Sequence, residues 1–360
     1  MKLAIKLETE PELRPLESTV AMDWQAVAKY LDSRGFHLDL TVAPRQFSGG
    51  LANCNFLVKI NGQLTVLRRP PSADLPPGAN DMRREHQILS RLWQELPLAP
   101  QSYLLCEDAD VIGVPFQILE YKEGVVVRAE LPAALASMPG IGGRLTRMLV
   151  GTLARIHQVD TARVGLADFG RPEGFLSRAV AGWSKRAYLA ADGAPPAVVR
   201  SITDWLHARK VPETTPTLLH NDFKLDNIIL EPATLAPVAV LDWDQGTRGD
   251  PLFDLATLLS YWAEAGDPPV MHALHQMPTA QSGFPSRQDV VALYARATNR
   301  DVSHFEFYRV LAMFKLGVVF QQLHARYRRG ETDDPRFAAF DRLAAELLEF
   351  THDIALGRVF

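Results

Sequence analysis

The sequence predicts an α+β fold in which a small β-rich lobe precedes a larger, mainly helical lobe. Three observations carry that prediction. Between residues 41 and 120, runs of β-branched, aromatic and leucine residues are separated by turn signals. The strongest of these is Asn61-Gly62, a dipeptide suited to the left-handed backbone of a two-residue hairpin. After Glu123-Gly124, apolar residues recur at helical spacing almost to the end of the chain. Strands and helices are therefore segregated along the chain, which argues against an alternating βαβ sheet. At 360 residues the chain is long enough to bury two such lobes.

The elements follow in order. Residues 1–18, acidic and proline-containing, read as a tail, 19–121 as the small lobe with a five-stranded sheet and a helix, and 122–360 as the helical lobe. Trp24, Val27, Ala28 and Leu31 share one helical face, and Gly35 supplies a C-terminal stop. Strands are expected at Thr41–Phe47, Phe56–Ile60 and Leu64–Arg68, the last two joined through Asn61-Gly62. The prolines of 70–80 mark an exposed loop, and Asp81–Leu96 is a helix with Ile88, Leu89, Leu92, Trp93 and Leu96 on its buried face. Further strands are expected near 102–106 and 114–120. Helices are expected over 141–159, 172–190, 195–210, 251–265, 288–297 and 303–350. The exception is 217–243, where Asn227–Leu230, a turn through Glu231-Pro232 and Val238–Asp242 form a hairpin.

Composition narrows the partners. Hydrophobic residues are 47% and charged residues 22%, ordinary for a globular protein, and a net charge of −4 gives no basic bias towards nucleic acid or an anionic membrane. Cys54 and Cys106 lack metal-ligand spacing and read as reduced, part-buried thiols. The N-terminal residues have no apolar core suited to a signal peptide, and no segment reaches ~20 uninterrupted apolar residues, so a cytoplasmic location is expected.

The chemistry concentrates in "LLHNDFKLDNIIL", residues 218–230, where His220, Asn221, Asp222, Lys224, Asp226 and Asn227 stand between two apolar runs. So many polar groups between buried strands are costly unless they solvate themselves or serve a ligand. Fifteen residues beyond Asn227, Asp242 ends the apolar strand "VAVLDWD". Phosphoryl transfer needs a carboxylate near the acceptor hydroxyl, a cation near the phosphate and oxygen ligands for Mg²⁺. Asp222 fits the first role, Lys224 the second, and Asn227 with Asp242 the third. In the small lobe, Glu85 falls on the buried stripe of its helix one turn before Leu89 and needs a cation, which Arg68 can supply, with Arg69 in reserve.

On these residues the chain resembles the aminoglycoside phosphotransferase family, which has the protein-kinase fold and usually shows His-Gly-Asp where this sequence has His220-Asn221-Asp222. The likeness runs from about residue 20 to 350. "VLRRPP", "RREHQIL" and "LDWDQGTRGDPLFDLA" look most like kinase-like domains attached to some acyl-CoA dehydrogenases. The resemblance implies a bilobal kinase-like protein using ATP and Mg²⁺, with Asp222 as catalytic base and Asn227 and Asp242 as metal ligands. Arg68, in place of the usual lysine, would contact ATP phosphates while held by Glu85; a purely structural ion pair is the other reading. Ser48, Gly49, Gly50 and Asn53 belong to the loop that would cover phosphate, although Leu51-Ala52 departs from the family's Gln-Ser and a plain turn accounts for it nearly as well. Backbone groups at Glu120 and Tyr121 would meet adenine.

Other acids and histidines take supporting roles. Asp250-Pro251 reads as a helix cap, Asp254 as a brace for the catalytic loop, and His220 as scaffold; His157 suits the C-terminal end of its helix. Asp244 fits either metal assistance or solvent. The acceptor side is drawn from Tyr261, Trp262, Tyr308, Lys315 and Arg326, with Phe305, Phe307, Arg328 and Arg329 nearby in sequence. A basic, aromatic cleft suits a hydroxy acid or hydroxyacyl thioester better than a polycationic aminoglycoside; a solvated arginine face is the competing reading. Two rival functions fit the same residues. One is a kinase-shaped nucleotide-binding module without turnover. The other is a haloacid-dehalogenase-like phosphohydrolase with Asp242 as nucleophile, which the residue Gln245 and the helical chain after 251 disfavour.

Overall fold

The computed structural model describes residues 11–48, 53–71, 80–281, 283–332 and 335–360. The chain forms two compact units: one from Met1–Val126, Asp160–Ala167 and Asn227–Gly246, the other from Val127–Val159, Asp168–Asp226 and Thr247–Phe360.

In the first unit, β1 (Arg45–Gln46), β2 (Cys54–Ile60), β3 (Gln63–Arg69), β4 (Ser102–Cys106) and β5 (Phe116–Glu120) form one sheet in the order β1-β2-β3-β5-β4, every pair antiparallel. The β2–β3 turn is the Asn61-Gly62 hairpin, with φ of 49° and 80° at its two residues. One face packs on helix α1 (Trp24–Asp32), where Val27 and Leu31 meet Phe56, Val58, Leu67, Phe116 and Ile118. Because side chains alternate along a strand, Leu67 enters this core and Arg68 points to the opposite face. Cross-strand register sets Asn55 and Gln117 on either side of Arg68, making a polar row across β2, β3 and β5. Helix α2 (Met82–Leu92) starts at Asp81, whose carboxylate accepts the Arg84 backbone N–H at 3.0 Å, and buries Glu85 with Ile88, Leu89 and Leu92. The expected first strand is shorter than its sequence run because Thr41 closes an Asp39 turn by donating its backbone N–H and hydroxyl to the carboxylate. A smaller antiparallel sheet joins β6 (Val125–Val126), β8 (Ile228–Leu230) and β9 (Pro237–Val240).

The second unit is helical apart from β7 (Thr217–Leu219) paired with β10 (Thr247–Gly249). Helix Pro251–Ser260 is buried on all sides, and helix Phe305–Arg328 packs on it, on Phe175–Ala190 and on Phe340–Ala355. The expected helix over 303–350 is two helices. The first ends at Arg328 and is stopped by Gly330, whose φ of 70° places it in the left-handed region, with the Gly330 N–H donating to the Tyr327 carbonyl and the Glu331 N–H to the Arg326 carbonyl. That cap satisfies the terminal carbonyls and turns the chain. No described helix is long and apolar enough to cross a membrane.

Candidate active site

In the first unit, the site is built around one buried carboxylate. Glu85 is 1% exposed and its Oε2 accepts the Arg68 Nε–H at 2.7 Å. The same oxygen accepts Gln117 Nε2, and Oε1 accepts the Trp243 backbone N–H at 3.1 Å. Arg68 also donates to Asn55 Oδ1 at 3.3 Å and pairs with Asp242 Oδ1. Burial pushes the Glu85 carboxyl above its ordinary value against the pull of Arg68. Burial alone would lower the Arg68 guanidinium; Glu85, Asp242 and Asp244 reverse that and hold it above its ordinary value.

Asn227 and Asp242, expected from the sequence to hold Mg²⁺, both lie in this unit too. The Leu241 N–H donates to the Asn227 carbonyl at 2.8 Å, holding the end of β9 against the start of β8. Asp242 follows with a left-handed φ of 67°, between that tie and the Trp243 N–H held by Glu85. Trp243 is wholly buried and its indole N–H donates to the Val240 carbonyl at 2.9 Å, so Asp242 sits on a fixed backbone. Asn227 and Asp242 offer hard oxygen donors, and among the described residues no set of three or more His, Cys, Asp or Glu side chains is grouped to hold a metal. Such a donor pair fits Mg²⁺, which completes its shell with water and phosphate oxygens, better than a cation needing a full protein cage.

In the second unit, the hub is Asp254, fully buried on helix Pro251–Ser260. Its carboxylate accepts the backbone N–H of His220 at 2.7 Å and of Asn221 at 2.8 Å, and meets His157 Nε2 at 3.1 Å. Burial alone would raise the Asp254 carboxyl; His157, His220 and these donors keep it below its ordinary value. His157 Nδ1 in turn meets the Tyr294 hydroxyl at 2.6 Å. The loop from His220 to Asp226 is therefore latched to a buried helix through its backbone.

Asp222 Oδ1 accepts the Tyr261 hydroxyl at 2.9 Å, and Lys224 Nζ lies 3.7 Å from Asp222 Oδ2 and 3.5 Å from Asp226 Oδ2. Gln276 Oε1 takes Lys224 at 3.4 Å. Lys315 reaches the loop, donating to the Asn221 carbonyl at 2.7 Å. Burial pulls its ammonium below the ordinary value, with Asp222 and Asp254 opposing. Asp250 caps its helix through Leu252 N–H and accepts the Tyr308 hydroxyl at 2.8 Å.

The structure brings together Arg68, Glu85 and Asp242 in one unit and His220, Asp222, Lys224, Asp254, Tyr261 and Lys315 in the other. Several expected acceptor contacts lie elsewhere. Trp262 and Tyr308 are in the packed interior at 0% and 1% exposure, Trp262 bonding the Pro285 carbonyl and Tyr308 serving the Asp250 cap. Phe305 and Phe307 are buried as well. Arg326 pairs with Glu331, and Arg328 and Arg329 share Asp192 on an exposed surface. The Glu120 backbone N–H is spent on the Gln101 carbonyl at 2.8 Å, leaving Tyr121, half-buried, next along the chain. Ser48 binds Glu12 and Asn53 is buried; Gly49, Gly50, Leu51 and Ala52 lie outside the described residues. Gln117 and Asn55 escape a reading of the sequence, although the lone amide in "FQILE" is a signal: a polar side chain on a buried strand requires a partner. An aspartyl nucleophile at Asp242 is overturned by topology, since β9 ends an antiparallel three-stranded sheet and not a parallel βα core.

Comparison with known proteins shows the family and the fold. The family model for the phosphotransferase enzyme family (APH) matches residues 44–289. Acyl-CoA dehydrogenase family member 10 of Mus musculus is 28% identical over 353 residues, covering 97% of this chain and 33% of that protein. The chain thus spans about a third of that relative's length. A crystal structure from Ralstonia eutropha, named as an aminoglycoside phosphotransferase, matches with a TM-score of 0.72 at 25% identity, over 94% of this chain and 99% of that one. A thermostable aminoglycoside phosphotransferase APH(4)-Ia mutant, in ternary complex with ADP and hygromycin B, matches with a TM-score of 0.55 at 17% identity over 90% of this chain and 98% of that one. The fold is protein-kinase-like, and the chain belongs to the phosphotransferase enzyme family.

Proposed function

We propose that this chain is an ATP- and Mg²⁺-dependent phosphotransferase acting on the hydroxyl of a compact small molecule, a hydroxy acid or hydroxyacyl thioester in preference to an aminoglycoside. The observation that carries the reading is the double position of Tyr261. Its hydroxyl holds Asp222 at 2.9 Å while the residue lines a surface cavity of about 230 Å³ in the same unit. An alcohol entering through that cavity meets Tyr261, whose hydroxyl holds the carboxylate that would take its proton. As the alcohol oxygen bonds to the γ-phosphorus and the bond to ADP breaks, the proton passes to Asp222. Asn227 and Asp242 would hold Mg²⁺, which supplies neutralising charge to the phosphates. Arg68, fixed by Glu85, is a further cation for them, and arginine suits phosphate geometry. Nucleotide use is further supported by the ADP complex of the APH(4)-Ia neighbour.

The acceptor class rests on the cavity lining. Ala263, Met271 and Met277 give it hydrocarbon, and His272 and Gln276 give it donors. Among its described lining residues the one acid is Glu130, which His275 faces at 3.5 Å. A polycation meets little attraction there, whereas a neutral or anionic alcohol meets no strong repulsion.

The test measures ADP release over a panel of hydroxy acids, hydroxyacyl thioesters and aminoglycosides, alongside thermal shifts with Mg²⁺ and ATP. Wild type is expected to turn over an acid or thioester, and Asp222→Asn to retain the nucleotide shift while losing transfer. Transfer surviving in Asp222→Asn sinks the assignment of the base, and turnover of aminoglycosides alone sinks the acceptor class.

A further inference from the structure

Arg309 is a charged side chain that the proposed phosphotransfer does not use. It lies in the second turn of helix Phe305–Arg328 and is 1% exposed. Its Nε, Nη1 and Nη2 atoms all lack a hydrogen-bond partner. A buried guanidinium usually has its five N–H donors answered, because leaving them desolvated and unpaired is costly. The two carboxylates whose charge acts on Arg309, Asp267 and Glu264, are committed to Arg287. Asp267 binds Arg287 through Nη1 at 2.9 Å and also through Nη2, and Glu264 accepts the Arg287 backbone N–H. Burial and the charge of Arg287 together pull the Arg309 guanidinium down to about 9. Its partners are aromatic: the rings of Phe350 and Phe360 lie 6.0 and 5.4 Å from its central carbon. Ring faces offset part of the charge and accept little of its hydrogen bonding.

Arg309 also lines a surface cavity of about 360 Å³ with Gln288, Glu306, Ile354, Arg358 and Phe360. We propose that this cavity is a binding site for a monoanionic organic carboxylate, whose head pairs with the Arg309 guanidinium and whose hydrocarbon body lies on Ile354 and Phe360. The planar guanidinium presents paired N–H donors that match the two oxygens of a carboxylate. The carboxylate of Glu306 on the same wall penalises a phosphate dianion more than a monoanion. Phe360 is 37% exposed, and the proposal requires its ring to move aside for the head to reach the guanidinium.

The test is a thermal-shift titration without nucleotide, using butyrate and benzoate, which carry no hydroxyl to phosphorylate, against chloride of equal ionic strength. Acetate and inorganic phosphate are the comparison arms. Wild type is expected to rise in Tm with benzoate and butyrate more than with acetate or phosphate. Arg309→Met is expected to melt higher than wild type without ligand and to lose the shift. Gln288→Glu, on an exposed position, is expected to weaken the apparent affinity at least ten-fold by placing a like charge beside the head. That variant carries the localisation if Arg309→Met does not fold. A phosphate shift equal to the benzoate shift overturns the carboxylate assignment. No shift with any anion, or a shift unchanged in Gln288→Glu, overturns the site. A wild type that ignores anions while Glu306→Gln lowers its Tm identifies Glu306 as the partner of Arg309 and also overturns the proposal.

Discussion

Glu85 concentrates the energetics of the first unit in one side chain, because three donors from three elements converge on it: Arg68 of β3, Gln117 of β5 and the Trp243 backbone after β9. Breaking a buried ion pair by removing one partner costs about 3–5 kcal/mol, whereas losing one neutral donor costs about 1 kcal/mol. Glu85→Gln is therefore expected to lower the urea midpoint several times more than Gln117→Leu, with m unchanged in both. Equal losses would mean that Glu85 is neutral in the folded protein and that Arg68 is held mainly by Asp242. Burial adds a pH signature to the same residue. The folded carboxyl sits above its ordinary 4.5, so the folded state binds the extra proton between 4.5 and its raised value. Stability then falls as pH rises through that window, because the unfolded state binds fewer protons there. Glu85→Gln is expected to flatten that part of the stability–pH curve. An unchanged slope in the variant would assign it to another group.

The polar loop owes its shape to the helix behind it. Asp254 answers two consecutive loop N–H groups with its two oxygens, and His157 approaches one of the same oxygens. Asn at 254 keeps one acceptor and turns the other into a donor facing a donor. Asp254→Asn is expected to cost about 1–3 kcal/mol of stability through the unmatched N–H. Turnover is expected to fall on the order of 100-fold, as small misplacements of catalytic groups do. The informative readout is a fall in kcat with the Mg²⁺-ATP thermal shift retained; losing both together would make Asp254 a purely structural residue. This latch was legible in part, since Asp254 falls on the inner face with Leu258 and Tyr261 in the sequence. The Asn61-Gly62 hairpin and the Asp81-capped helix were legible because local chemistry decides them. The break at Gly330 was not, because apolar spacing continues on both sides of a single left-handed residue. Trp262 and Tyr308 were misassigned for a related reason: aromatic residues line a cleft or fill a core with the same sequence pattern, and only packing separates the two.

At the scale of the whole chain, the first unit is not one contiguous stretch. Its strands β8 and β9, and the Asp242–Trp243 turn, come from residues more than a hundred positions after β6. A fragment of residues 11–126 retains the five-stranded sheet and α1, but it loses the Trp243 donor to Glu85 and the Asp242 partner of Arg68. It also loses the β8 partner of β6 and the Val240 N–H that donates to the Leu98 carbonyl at 2.7 Å. What remains on the α2 side is a buried acid with fewer donors and an apolar surface stripped of Trp243, a combination that costs more than the fragment's core is expected to return. The fragment is therefore expected to lack a cooperative thermal transition and to bind a hydrophobic dye, while the full chain melts cooperatively. Circular dichroism melts of both decide it. A sharp transition in the fragment would show that the α1 face alone holds the sheet, and that the return of residues 227–246 serves to place Asn227 and Asp242 and not to complete a fold.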